Sequence, residues 1–128
     1  MSNSISQYAS IIVNALVLLT GQLLIKRGLG SYGRNGFTEF GQIINLIHFA
    51  LTTPVLLLGY FLSLLSGLLW VITLARLPLS YAVPLFTGIY YVLLLIMSIL
   101  VLGETVSRAR WLGAGLILVG VIFLVKND

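Results

Sequence analysis

The stretch from Leu79 to Leu102 reads LSYAVPLFTGIYYVLLLIMSILVL and contains no charged residue. Its second half is continuously apolar and does not show the polar–apolar alternation of a transmembrane β-strand. About 20 apolar residues in a helix are enough to cross the ~30 Å hydrocarbon core of a bilayer. Since a backbone inside lipid must satisfy its own hydrogen bonds, this stretch is predicted to be a transmembrane helix.

Three further apolar blocks have a similar length, and each of them ends at a Lys or Arg. Only 8% of the residues are charged, against roughly 25% in a soluble domain. The sequence therefore predicts an all-α membrane protein, a single transmembrane domain over residues 1–128. Its four transmembrane helices are predicted at about 5–27, 54–76, 79–102 and 108–126. The short connections after the second and third helices predict that successive helices pack as antiparallel neighbours.

The first connection is longer and has its own pattern. Over residues 37–52 apolar side chains alternate with Glu39, Gln42, Asn45 and His48. This spacing predicts an amphipathic helix lying in the membrane interface, between the first and second transmembrane helices. His48 is the only histidine, and a metal site needs several ligands. We therefore expect His48 to be solvated, and we expect neither a metal nor another cofactor.

The basic residues flank the predicted helices, and the formal net charge is +4. Flanking Lys and Arg are typical of membrane proteins, so the bilayer is the expected partner and nucleic acid is not. One side has Lys26, Arg27, Arg34, Arg108 and Arg110, and the other has Arg76 and Lys126. The side with more Lys and Arg is predicted to be cytoplasmic, with both termini outside. Insertion of the protein in both orientations is kept as an alternative.

The acidic residues exclude some functions. The three carboxylates are Glu39, Glu104 and Asp128, and none lies in the middle of a predicted helix. Proton-coupled exporters usually need a carboxylate buried in the membrane. There is no cysteine, nucleophile–base pair or phosphate-binding loop, so we predict that the protein is not an enzyme.

Polar residues inside the predicted helices are candidate binding groups. Asn14, Gln22 and Lys26 lie on one stripe with Leu18, each four residues from the next, and they either bind substrate or hold helices together. Trp70 could line a cavity or anchor the helix. Pro84 and Gly88 are predicted to kink the third transmembrane helix. Tyr81, Tyr90 and Tyr91 flank that kink and would offer hydroxyl groups to a polar ligand.

Four stretches together resemble a known superfamily. They are GQLLIKRG at 21–28, LPLSYAVP at 77–84, LGETVS at 102–107 followed by Trp111, and GAGLILVGV at 113–121. In this order they are similar to the four-helix members of the drug/metabolite transporter superfamily. The resemblance covers nearly the whole chain and implies a transporter.

Two branches of that superfamily are similar to this chain. The last helix resembles that of the small multidrug resistance exporters, whose first helix has a glutamate eight residues before the lysine that matches Lys26. That position is Leu18 here, which argues against export of cationic drugs. Gly21-Gln22 with Lys26, and the turn from Glu104 to Ser107, resemble the flippase subunits for aminoarabinose-phosphoundecaprenol. We favour this branch; a small multidrug or metabolite exporter and a non-transporting membrane subunit remain alternatives.

The flippase resemblance implies a polyprenyl-phosphate glycolipid as substrate and the bacterial inner membrane as location. Lys26, Arg27 and Arg108 would draw the phosphate, and Asn14, Gln22, Trp70 and Tyr90 would receive the sugar. Glu104 would pair with Arg108 four residues later or stabilise its turn. A cavity open alternately to two sides requires a second repeat, so we predict a homodimer or a heterodimer with a paralogous subunit. Its interface is predicted at Gly113, Leu116, Ile117 and Gly120 on the last helix, although these glycines could instead pack against the third.

Overall fold

The computed structural model describes residues 2–30, 32 and 40–126. Over these residues the chain forms α1 (Ser2–Gly30), α2 (Phe40–Thr52), α3 (Pro54–Leu74), α4 (Leu79–Leu102) and α5 (Arg108–Lys126). Four of these helices, α1, α3, α4 and α5, are long and apolar enough to cross a membrane, and the shorter apolar α2 lies between the first two. The predicted fold class is therefore confirmed.

The short helix α2 has no buried residue, as expected for a helix that lies at an interface. It leads directly into α3, because the Thr53 amide donates to the Phe49 carbonyl at 3.0 Å and Pro54 follows as the first residue of α3. The Tyr32 ring lies 5.0 Å from the Phe49 ring. Residues 37–39, which we predicted to belong to this helix, lie outside the described residues.

The four long helices are arranged in a row in the order α3, α1, α4, α5. Helix α1 packs along α3 on one side and along α4 on the other, while α5 packs against α4. Helices α3 and α4 touch only sparingly. The predicted contact between these two successive helices is therefore present but small, and it includes the rings of Trp70 and Phe86, whose centroids are 4.9 Å apart.

The four long helices have different charges at their two ends, which correspond to the two faces of the membrane. Arg27 contacts the end of α4 and Lys26 contacts Glu104, which brings the end of α1 to the α4–α5 connection. We call this the basic end; it has Lys26, Arg27, Arg108 and Arg110. The far end has Arg76 and Lys126. Arg34, which we assigned to the richer side, lies outside the described residues.

The α1–α3 contact depends on two glycines. A Cβ added to Gly21 would lie 2.8 Å from the Gly59 carbonyl oxygen, and one added to Gly59 would lie 2.9 Å from the Gly21 oxygen. Such distances require the two backbones to be in direct contact, which only glycine permits. Small residues commonly bring helices together in this way within membranes, where van der Waals packing drives association.

Pro84 and Gly88 have different surroundings in α4. The helix runs without a break from Leu79 to Leu102 with Pro84 inside it, although proline supplies no N–H to the preceding turn. Gly88 is a close contact with α5, because a Cβ there would lie 2.7 Å from Cγ2 of Val121. Gly88 thus lets α5 approach α4, and the kink at Pro84 stays a prediction.

Candidate functional site

A cleft of about 390 Å³ opens at the basic end between α1, α4 and the start of α5. It has an apolar wall made by Leu23, Leu94, Leu95, Leu102 and Val106. Its polar and charged lining consists of Gln22, Lys26, Tyr90, Tyr91, Ser98, Glu104 and Arg110. The cleft can therefore receive a molecule with both charged and apolar parts.

The entrance of the cleft is charged. Lys26 Nζ lies 4.0 Å from Glu104 Oε1, and their side chains are 65% and 42% exposed. Gly103, with a φ of 64°, ends α4 in the left-handed conformation that glycine adopts without strain. The chain thereby turns so that the Glu104 amide donates to the Ser98 carbonyl at 3.1 Å. This turn fixes the backbone that presents the Glu104 carboxylate to Lys26.

The first turn of α5 brings Arg110 to the same place. The Arg110 amide donates to the Ser107 carbonyl at 3.0 Å, which starts the helix. Arg110 lines the cleft together with Glu104, and both also line a shallow polar depression beside it, along Leu102, Gly103 and Thr105. Two cations, Lys26 and Arg110, thus share the entrance with one carboxylate.

The interior of the cleft offers uncharged hydrogen-bonding groups. Gln22 lies one helical turn before Lys26 on α1, so the two side chains share a face. On α4 the phenols of Tyr90 and Tyr91 are half-buried, and the buried Ser98 hydroxyl donates to the Leu95 carbonyl at 3.0 Å. A ligand headgroup held at the entrance would find amide and hydroxyl partners further in.

Asn14 lies outside the cleft, in the α1–α3 contact. It is 1% exposed, and its Oδ1 accepts a hydrogen bond from Ser66 Oγ at 2.5 Å. Its Nδ2 has no partner among the described residues. Residues four apart on an α-helix rotate by ~40° per step. The stripe therefore turns by ~80° between Asn14 and Gln22, which directs Asn14 to α3 and Gln22 to the cleft.

Trp70 and Tyr81 also lie outside the cleft lining. The Trp70 ring lies 4.9 Å from the Phe86 ring, and Phe86 stacks on Tyr90 at 5.7 Å. Trp70 therefore reaches the cleft only through this aromatic series. The Tyr81 hydroxyl lies 2.9 Å from the Tyr8 hydroxyl near the start of both helices, which joins α1 to α4 at the far end.

Two of the predicted phosphate-binding arginines do not line the cleft. Arg27 Nη2 donates to the Val101 carbonyl at 3.0 Å, one of the last carbonyls of α4, which have no partner within the helix. Arg108 is exposed at the first position of α5. Over the described residues the ion pair of Glu104 is with Lys26, so the predicted Glu104–Arg108 pair was wrong.

Ser98 and Arg110 line the cleft, but we did not select them from the sequence. Arg108 and Arg110 are two residues apart and so face different sides of α5, and their spacing does not show which one faces α1. A signal did exist on α4, where 90, 94, 98 and 102 are four residues apart and define one face. Tyr90 and Ser98 lie on this face, and its end is at the turn that contains Glu104.

The predicted dimer-interface residues face away from the other helices. A Cβ added to Gly113 or Gly120 would meet no atom of the described chain within 4 Å beyond its own helix. Leu116 is 74% exposed and Ile117 38% exposed. Only Ala114 is buried on α5. This face is therefore open to lipid or to another chain.

The chain has relatives that match over most of its length. It is 36% identical over 115 residues to the "Probable 4-amino-4-deoxy-L-arabinose-phosphoundecaprenol flippase subunit ArnE" of Aeromonas salmonicida, covering 89% of this chain and 92% of the relative. Proteins of the same name from Aeromonas hydrophila and Proteus mirabilis are 34% and 26% identical, over 85% and 89% of this chain and 88% and 92% of each relative. No family model matches the chain, and no solved structure matches it.

The apolar helices and these relatives define a multi-pass membrane protein. The chain belongs to the family of ArnE flippase subunits. The resemblance that we drew from its helix motifs is thus confirmed. Its named relatives are transporter subunits rather than enzymes.

Proposed function

We propose that the protein is a subunit of a flippase that carries a polyprenyl-phosphate-linked amino sugar, of the aminoarabinose type, across the bacterial inner membrane. The observation that supports this most directly is the cleft, where Lys26 and Arg110 stand at the entrance and Gln22 and Tyr90 lie inside. The three relatives are named for the same class of substrate.

The chemistry of the cleft suits such a lipid. A phosphate accepts charge-assisted hydrogen bonds from ammonium and guanidinium groups, and these are the side chains of Lys26 and Arg110. The sugar hydroxyls would meet Gln22, Tyr90 and Tyr91 further in. The apolar wall, which includes Leu94 and Leu95, suits the first part of the prenyl chain. The rest of the tail stays in lipid while the headgroup crosses.

A second chain completes the transporter in this proposal. A row of four helices does not surround its cleft, and related transporters move two repeats against each other around a central site. The open face of α5, with Gly113, Leu116, Ile117 and Gly120, is the contact that we assign to this partner. Because the relatives are named as subunits, we favour a paralogous partner over a second copy of this chain.

The proposal is tested by measuring translocation of a fluorescent polyprenyl-phosphate aminoarabinose in proteoliposomes, with this chain alone and with a paralogous chain from the same organism. We expect translocation that exceeds protein-free vesicles, and that is lost when Lys26 is replaced by Ala. Arg76→Gln, which removes a charge at the far end, is the matched control and should keep translocation. If the chain instead takes up quaternary ammonium drugs in exchange for protons, it is an exporter and the proposal fails.

A further inference from the structure

Glu104 is the residue of the cleft that a phosphate alone does not explain. It is the one carboxylate among residues 2–30, 32 and 40–126, and it stands at the entrance with Lys26 and Arg110. A carboxylate there repels a phosphate and weakens the field of the two cations. If the entrance bound only an anion, removing the Glu104 carboxylate would increase its affinity for that anion.

The Lys26–Glu104 ion pair does not account for the carboxylate either. Both side chains are exposed and their nearest charged atoms are 4.0 Å apart. Exposed pairs of this kind contribute only ~0–1 kcal/mol to stability. The α1–α4 contact has a further connection at this end, from Arg27 to the Val101 carbonyl. The position of Glu104 in the cleft therefore fits a role in ligand binding better than a role in stabilising the fold.

A ligand that carries both signs of charge fits all three side chains. We propose, on the basis of the proposed function, that Glu104 selects the headgroup by receiving the ammonium group of an amino sugar. Lys26 and Arg110 hold the phosphate of the same molecule. When the ligand enters, the exposed Lys26–Glu104 pair opens and each partner takes the group of opposite charge. The same prenyl phosphate with a neutral sugar leaves the carboxylate unpaired beside a phosphate and is disfavoured.

The test compares two short-chain polyprenyl phosphates, one with 4-amino-4-deoxyarabinose and one with arabinose, for binding to the full chain in lipid nanodiscs, alone and together with a paralogous chain from the same organism. The wild type is expected to bind the amino sugar about tenfold or more tightly than arabinose, the range of a charge-assisted hydrogen bond. Glu104→Gln should bring the ratio close to one, mainly by weakening the amino-sugar lipid. Glu104→Asp, which keeps the charge, should retain most of the preference.

The outcomes separate this inference from the proposed function. Equal binding of the two lipids by the wild type, or an unchanged ratio in Glu104→Gln, would overturn the role of Glu104 while leaving lipid binding intact. Absence of binding of either lipid would overturn the proposed function and the inference with it. Glu104 is exposed, so its replacement should not prevent folding, and a thermal unfolding curve of each variant checks this.

Discussion

Gly21 of α1 and Gly59 of α3 face each other with no side chain between them. A Cβ on either residue would come within 2.8 to 2.9 Å of the carbonyl oxygen of the other. Because both obstacles are backbone atoms, neither can move without moving its helix. This contact holds the longest interface of the chain together and leads to the first prediction.

Gly59→Ala should destabilise the protein by about 1–3 kcal/mol, since overpacking forces the two helices apart. Gly67→Ala is a matched control on the same helix, because a Cβ there meets no atom of the described chain within 4 Å. The control should be neutral or slightly stabilising, since alanine favours helix more than glycine does. Unfolding in mixed detergent micelles measures both variants. Equal stability of the two would contradict the backbone contact.

Gln22→Leu and Lys26→Ala should each weaken binding of the lipid-linked sugar by about tenfold, the range of one hydrogen bond to a charged group. One change removes an amide inside the cleft and the other removes a cation at its entrance. Titration of nanodiscs with the short-chain lipid measures the affinity, and Arg76→Gln serves as the control at the far end. Normal affinity in both variants would show that the stripe only holds helices together.

The two arginines of α5 should differ in effect. Arg110→Gln is expected to weaken lipid binding more than Arg108→Gln, because Arg110 lines the cleft and Arg108 does not. Both variants lose the same charge from the same helical turn, so the general attraction of this end for anions falls equally. The ratio of the two dissociation constants is the measurement. A larger effect at Arg108 would mean that α5 is rotated relative to this structure.

Asn14 should matter for stability rather than for binding. Ser66→Ala removes the hydroxyl that donates to Asn14 Oδ1 and is expected to cost about 1 kcal/mol. The double variant Asn14→Leu/Ser66→Ala should recover part of that loss, since it leaves no buried polar group unpaired. Lipid affinity should be unchanged in both. A loss of affinity in the double variant at retained stability would place Asn14 in the binding site after all.

The glycines of α5 should separate association from folding. Gly113→Leu with Gly120→Leu is expected to reduce crosslinking between subunits in bilayers and to abolish translocation, because both residues lie on the open face. Gly115→Leu is the matched control, since Gly115 is also unobstructed but is two residues from Gly113 and faces another direction. If the control disrupts association equally, the contact is not specific to this face.

The sequence was enough to predict the number and type of helices, because lipid leaves few alternatives to an apolar helix. It did not predict their order in the row. That order depends on which glycines form the contacts between helices. The sequence contains Gly21 and Gly59 but does not show that they contact each other. Short connections pointed to α3 and α4 as neighbours, and the two do meet at Trp70 and Phe86, but both helices pack more extensively on α1.

The candidate site was predicted in part for a similar reason. Spacing by four placed Gln22 and Lys26 together, and both line the cleft. The same spacing also selected Asn14. Positions four residues apart rotate by ~40° around the helix axis at each step, and this rotation turns Asn14 away from the cleft. Arg110 was missed because a boundary arginine looks the same whichever way it faces. Glu104 was selected, but its partner was assigned by sequence distance rather than by the α1–α4 contact.

The arrangement of the helices also determines which contacts must break when the helices move relative to one another. Helices α1 and α3 are in backbone contact at Gly21 and Gly59, and Val121 of α5 lies against Gly88 of α4, so each of these two pairs of helices has a close contact at glycine. The exposed polar connections between the pairs include Tyr8 to Tyr81 at the far end. At the basic end they include Arg27 to the Val101 carbonyl and Lys26 to Glu104. Exposed polar contacts are inexpensive to break. A motion of one pair on the other would therefore be resisted mainly by the packing of α1 on α4 rather than by these polar contacts.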